Sequence, residues 1–173
     1  MEVLVNNQGL ELVIIERKGQ ACVVKFTASG STRVASYNNI IKGKVKDLYH
    51  PSRYGIGYDG EFVRKPYWKQ AKQLWSNMLK RCYYEGDCRG YFKKGTLVDV
   101  RWHCFANFLD DLPKLRGFDK WLRGGMELDK DLIAPGANIY SRHTCMFIEQ
   151  SINRSAGKRG KKLMDGAWVA TSR

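Results

Sequence analysis

The feature that most limits the folds open to this chain is a stripe of apolar residues just after Pro66. In "YWKQAKQLWSNMLKRCYY", Trp68, Ala71, Trp75, Met78 and Cys82 recur at alternating steps of three and four, and Leu74 and Leu79 widen the stripe. That spacing predicts an amphipathic helix with two tryptophans turned to a core. A face of that size needs other elements to cover it. Lys69, Lys72, Lys80 and Arg81 lie largely off the stripe, where they either contact phosphate or are solvated.

Upstream the period changes. "LELVIIE" and "ACVVKF" are runs rich in β-branched residues, separated by the turn-like "RKGQ". Ser29-Gly30 marks a second turn, and "TRVASYNNII" reads as a third extended stretch. Residues 1–50 are therefore expected to form a small β module, SH3-like in size and strand count. Residues 51–66, with glycines, tyrosines and no period, read as a linker or arm. Basic residues interleaved with tyrosines there suit backbone contact and base stacking; tyrosines packed on the core suit the same pattern.

Residues 67–162 are expected to be a helical region. After the first helix, "YFKKGTLVDVRW" predicts a short strand, and "HCFANFLDDLP" a second helix with Phe105, Phe108, Leu109 and Leu112 inward, closed by Pro113. His103 beside Trp102 reads as a packing histidine. Residues 163–173 are the C-terminal tail, and "AWVATSR" resembles the start of a further β unit. The fold class expected is thus α+β.

Thirty Lys and Arg against 17 Asp and Glu give a net charge of +13. Cut at residues 66 and 127, the three parts carry excesses of +4, +5 and +4, so the charge is not a tail effect. A polyanion that touches several faces explains such a distribution, and double-stranded DNA is the partner expected. The basic stretch "NRSAGKRGKKLM" adds Arg154, Lys158, Arg159, Lys161 and Lys162 to the candidate phosphate contacts. No apolar run is long enough for a membrane helix and the first residues lack a basic leader, so a cytoplasmic location is expected.

Five cysteines without a repeated spacing argue against a disulfide framework. Cys82, Cys88, His103, Cys104 and Cys145 do not make a zinc-knuckle pattern, so zinc is not expected.

"LDKDLIAPGANIYSRHTCMFIEQSIN", Leu128–Asn153, concentrates aspartate, histidine and asparagine in a turn-rich segment. Leu128–Ile133 reads as a strand, "APGAN" as a turn, "IYS" as extended and "CMFIEQSIN" as a short helix. Together with the "RCYY" helix and "DVRWHCFANF", this ordered string resembles small phage and bacterial proteins of the HNH-like (His-Me finger), homing-endonuclease-like family. The resemblance covers roughly Tyr67 to Lys162. It implies a ββα unit that hydrolyses DNA phosphodiesters with one divalent metal, Mg2+ or Mn2+, held by Asp129 and Asn153.

The chain departs from that family's pattern where a histidine is expected beside the aspartate. Lys130 stands there, and a lysine, protonated at neutral pH, cannot act as general base. His143 is the candidate replacement base, with Asp131 beside it in the candidate catalytic set, and Lys130 and Arg142 join the candidate DNA contacts. The alternatives are a catalytically inactive DNA-binding protein on the same scaffold, or an inhibitor that docks on a host protein. If the chain is phage-encoded, its cytoplasm is the host's.

Overall fold

A computed structural model describes residues 2–87 and 89–151, and the backbone of two further strands at 161–164 and 167–170. It is a mixed α+β structure: a four-stranded antiparallel sheet at the N-terminus, followed by helices and short strand pairs.

The sheet runs in chain order through β1 (Val3–Val5), β2 (Glu11–Lys18), β3 (Ala21–Phe26) and β4 (Thr32–Ser36). Alternation of burial along β3 follows from the pleat: Cys22, Val24 and Phe26 are buried, and Val23 and Lys25 face the other side. Lys18 pairs with Ala21 across a two-residue connection in which Gly19 takes a positive φ of 59°, a value suited to tight hairpins.

The third extended stretch ends earlier than expected. Ser36 accepts the Asn39 N–H at 3.3 Å and caps a short helix, α1 (Tyr37–Ile41), which lays Ile40 on the sheet. A serine side chain that satisfies a free helical N–H competes with continuation of the strand.

α2 (Trp68–Tyr83) is the helix predicted by the stripe, with Ala71, Trp75, Met78, Leu79 and Cys82 buried. Trp75 Nε1 donates to the Trp102 carbonyl at 2.7 Å, so the buried indole is satisfied. β5 (Leu97–Val98) follows, then a 3-10 turn at Val100–His103 and α3 (Phe105–Asp111), whose Phe105, Phe108 and Leu109 join the same core. A second 3-10 turn, Leu112–Lys114, holds Pro113 and buries Leu112. His103 packs edge-on to Tyr83 and its Nε2 lies 3.0 Å from the Val98 carbonyl, the packing role expected of it.

Residues 51–66 do not run free. Gly57 lies against Trp75 and Leu79, where a Cβ would approach Leu79 Cδ1 to 2.3 Å, and Phe62 meets Phe105 edge-to-face at 4.9 Å. Tyr58 and Cys104 form a bridge between this segment and the start of α3. Apolar Ile56 and Phe62 anchor it, and a residue without a side chain permits the close approach.

After α4 (Phe118–Arg123), β6 (Met126–Asp129) pairs antiparallel with β8 (Met146–Glu149), while β7 (Ile139–Tyr140) pairs parallel with β5. Two expectations are corrected here. The strand expected at Leu128–Ile133 stops at Asp129, because the Asp129 side chain folds the chain back at once. The helix expected from Cys145 is a strand to Glu149, and helical residues begin only at Gln150. Met146, Phe147 and Ile148 are all buried, covered on one face by Trp121, which stacks on Phe147 at 5.0 Å. A short run buried on both faces has no period with which to tell strand from helix.

β9 (Lys161–Met164) and β10 (Ala167–Ala170) pair antiparallel, so Lys161 and Lys162 stand in a strand rather than a basic coil. Among the described residues no helix is long and apolar enough to cross a membrane.

Candidate functional site

The β6–β8 pair brings two turns to one end. Asp129, the last residue of β6, stands opposite Met146, the first of β8, so the turn after Asp129 and the Ser141–Thr144 turn are neighbours. Asp129 is buried and its Oδ1 accepts the N–H groups of Asp131 at 3.0 Å and Leu132 at 2.9 Å. The carboxylate thereby fixes the first turn and is itself held in one orientation.

Lys130 turns inward and is 7% exposed. Its Nζ donates to Asp131 Oδ1 at 2.5 Å and to the Ala137 carbonyl at 3.3 Å, and lies 6.0 Å from the ring centres of both Tyr91 and Tyr140. The ammonium therefore pins the 130–137 loop from inside, and is not presented to a solvent-side phosphate. Asp131 is half exposed and serves as its counter-ion.

Ser141 and Thr144 close the second turn: the Ser141 N–H donates to Thr144 Oγ1 at 3.0 Å, and the Thr144 N–H to Ser141 Oγ at 3.2 Å. His143 sits exposed at its tip, where Arg142 Nε donates to His143 Nε2 at 3.0 Å. Nε2 is thus the acceptor nitrogen, pointed at a guanidinium.

Behind these turns lies a cluster that the linear sequence conceals. Tyr140 is 2% exposed, and burial pushes its phenol far above the ordinary value, with Tyr91 and Arg81 close enough to act on it. Arg81 Nε is buried with no hydrogen-bond partner among the described residues. Burial likewise pushes Cys145 up to about 12 and Cys82 up to about 11, so both stay thiols. Arg81, Tyr91, Lys130 and Tyr140 are separated by up to 59 positions and meet only because β7 pairs beside β5. No local spacing signals that meeting.

The remaining candidate DNA contacts divide. Lys69 is exposed beside the Trp68 ring, and Lys80 lies over Tyr84 at 5.6 Å. Lys72 differs from expectation: it pairs with Asp59 and rests over Trp75 and Phe105 at 4.3 and 4.1 Å. Burial lowers its pKa, and Asp59 opposes that shift. Asn153, Arg154, Lys158 and Arg159 lie outside the described residues; Lys161 and Lys162 are described by backbone alone.

Of the metal donors implied by the resemblance, Asp129 is the one described, and its Oδ1 already holds two amides. Among the described residues no three of His, Cys, Asp and Glu gather in one place. No family model, curated protein or solved structure matches this chain.

Proposed function

We propose that the protein binds double-stranded DNA through its surface charge. The observation that carries this reading is the spread of exposed cations over every described part of the chain. Asp47, Asp111 and Asp129 are buried, and Asp59 and Asp87 are tied to Lys72 and Arg89. Arg17, Lys25, Lys44, Arg64, Lys69, Lys94, Arg116 and Arg142, in contrast, are exposed and come from every part of the chain. Carboxylates such as Glu11, Glu16, Glu61, Glu85, Asp110 and Glu149 are exposed as well, so the surface keeps the positive excess that the net charge of +13 expresses. Such a field binds phosphate with release of counterions and steers DNA onto the protein. The N-terminal sheet, read as SH3-like, serves as one contact in this proposal and the face of α2 as another.

A second reading, that the protein also cuts DNA as an HNH-like endonuclease, is favoured by the shared end of β6 and β8. There an oriented, buried Asp129 neighbours the turn that carries His143, and residues 150 and 151 are helical, which in sequence is just ahead of Asn153. A divalent metal bound by Asp129 and Asn153 would supply charge stabilisation at the phosphate. Asp129 would hold it; the orientation of that carboxylate comes from the Asp131 and Leu132 amides.

Electrophoretic mobility shift of a duplex across a salt series tests the first reading. Binding that weakens linearly in log–log form, with a slope of several units, is expected. Salt-insensitive or absent binding refutes it. Incubation of supercoiled DNA with Mg2+, Mn2+ or EDTA tests the second. Nicking that needs metal and fails in Asp129→Asn supports it, and intact DNA under every condition rejects it in favour of binding alone.

A further inference from the structure

The segment 52–57 makes a turn whose shape is costly for the residue that occupies it. Ile56 N–H donates to the Arg53 carbonyl at 3.1 Å, and the two central residues, Tyr54 and Gly55, have φ of 52° and 73°. Positive φ at both central positions is the pattern of a type I′ turn, which favours Asn-Gly. Tyr54 is the one described non-glycine residue with positive φ. A bulky aromatic in the left-handed region is a backbone outlier of the kind that gathers at functional positions.

What the turn obtains is a presented ring. Tyr54 is 37% exposed and its ring centre lies 6.1 Å from that of Tyr84, which is 48% exposed, with 45° between the planes. Gly57, pressed on Trp75 and Leu79, sets the turn against α2 at positions nine and five residues before Tyr84. Gly86 supports Tyr84: a Cβ there would stand 2.8 Å from Tyr84 Cε1, so the chain passes directly against the ring. Neither tyrosine belongs to a buried cluster.

Cations flank this pair. Lys80 lies over Tyr84, and exposed Arg53 adjoins Tyr54. Arg53 also lines a cleft of about 280 Å³ with Lys46, Ser52, Gln8, Asp47 and Asp59. Both carboxylates of the cleft are engaged, Asp47 by the Ser31 hydroxyl and the Tyr49 N–H, Asp59 by Lys72. That leaves Arg53 and Lys46 as the lining charges of the cleft without a counter-ion among the described residues, and Arg53 joins the cleft to the part-exposed Tyr54 along the chain.

We propose that Tyr54 and Tyr84 form a platform on which an unpaired DNA base stacks, with the adjoining phosphates held by Arg53, Lys46 and Lys80. The inference rests on the DNA-binding reading and narrows it: a strand with unstacked bases is the better ligand at this site. Aromatic stacking discriminates in this way because every base presents a π face, which a closed duplex keeps covered.

The test uses the full chain and fluorescently labelled DNA of about 20 nucleotides, single-stranded or as the blunt duplex of the same sequence, read by anisotropy at fixed salt. Tyr54→Asn and Tyr84→Ala each weaken single-strand binding by on the order of tenfold and leave duplex binding within about twofold. Tyr54→Phe and Tyr84→Phe bind as the parent does. Tyr54→Asn suits the turn and melts no lower than the parent, which separates loss of the ring from loss of fold. Unchanged single-strand binding in both ring deletions, or an equal loss on both DNAs, overturns the platform while duplex binding stands. Failure of the parent to bind either DNA overturns the DNA-binding reading and the platform with it.

Discussion

Asp129 holds both a structural and a chemical position, and two substitutions separate them. In Asp129→Ala the N–H groups of Asp131 and Leu132 lose their acceptor, and Leu132 is buried, so water does not replace it. Charge-assisted bonds of this type contribute about 1.5–3 kcal/mol each, hence about 3–6 kcal/mol together. For a chain of this size each kcal/mol moves Tm by roughly 2–4 °C, so a fall of about 6–24 °C is expected. Asp129→Asn keeps the Oδ1 acceptor and is expected to keep more than half of that stability while it removes the negative charge. Thermal unfolding followed by circular dichroism reads both variants. If Asn destabilises as much as Ala, charge rather than acceptor geometry holds the turn and the reasoning fails. If Ala melts with the parent, the turn does not depend on Asp129 at all. The pair also governs how any nuclease assay is read: lost cleavage in Asp129→Asn reports on chemistry, whereas in Asp129→Ala it is mixed with a loosened loop.

Asp111 is fully buried between α3 and the following turn, where it accepts from Arg101 at 2.8 and 3.3 Å, Trp102 Nε1 at 3.0 Å and Lys114 at 3.2 Å. Asp111→Ala is expected to lower unfolding free energy in urea by about 2–4 kcal/mol, as it leaves a buried indole N–H unmet while both cations reach solvent. Burial raises the Asp111 carboxyl, but the bonds from Arg101, Trp102 and Lys114 outweigh it and hold it below the usual range. Its stabilisation is therefore complete above the ordinary carboxylate pKa of about 4 and fades as pH falls through the lower folded value. Urea titrations from pH 6 to pH 2 should show the gap between parent and variant closing toward the acid end. The double variant Asp59→Asn, Lys72→Met, which removes the ion pair as a unit, should leave duplex affinity and its salt slope unchanged, whereas Lys69→Ala should lower the slope by about one. A slope that drops in the double variant would place Lys72 on the DNA.

Much of the architecture is legible in the residues, and the exceptions have particular causes. The α2 stripe was sufficient because a period of 3.6 sustained over 16 residues has no strand counterpart. β2 and β3 were legible through β-branched runs that end at glycine turns. Tyr37–Ile41 was not, since "SYNNII" carries both strand-like residues and a serine cap, and only Ile40 finding the sheet decides between them. Met146–Glu149 was not, because its form is set by a partner, β6, that lies 17 or more positions away. In the candidate site, Asp129 was legible as a functional type of residue in a turn. Lys130 was legible only as a charge; that it points inward, between Tyr91 and Tyr140, is a property of loops brought together by β5 and β7.

The sequence by itself determined the sign and spread of the charge, the amphipathic helix, the strand-rich start and the concentration of polar chemistry after Leu128. Those are local or additive properties, written in composition and in periods of two and 3.6. Tertiary structure alone decided which cations remain available. Lys72 and Lys130 are chemically the same as Lys69, yet packing over aromatic rings and a carboxylate within reach have committed them. It also decided that Tyr54 and Tyr84, thirty positions apart, share one exposed face. Availability depends on neighbours distant in sequence, and neighbours of that kind exist only once the chain has closed on its core.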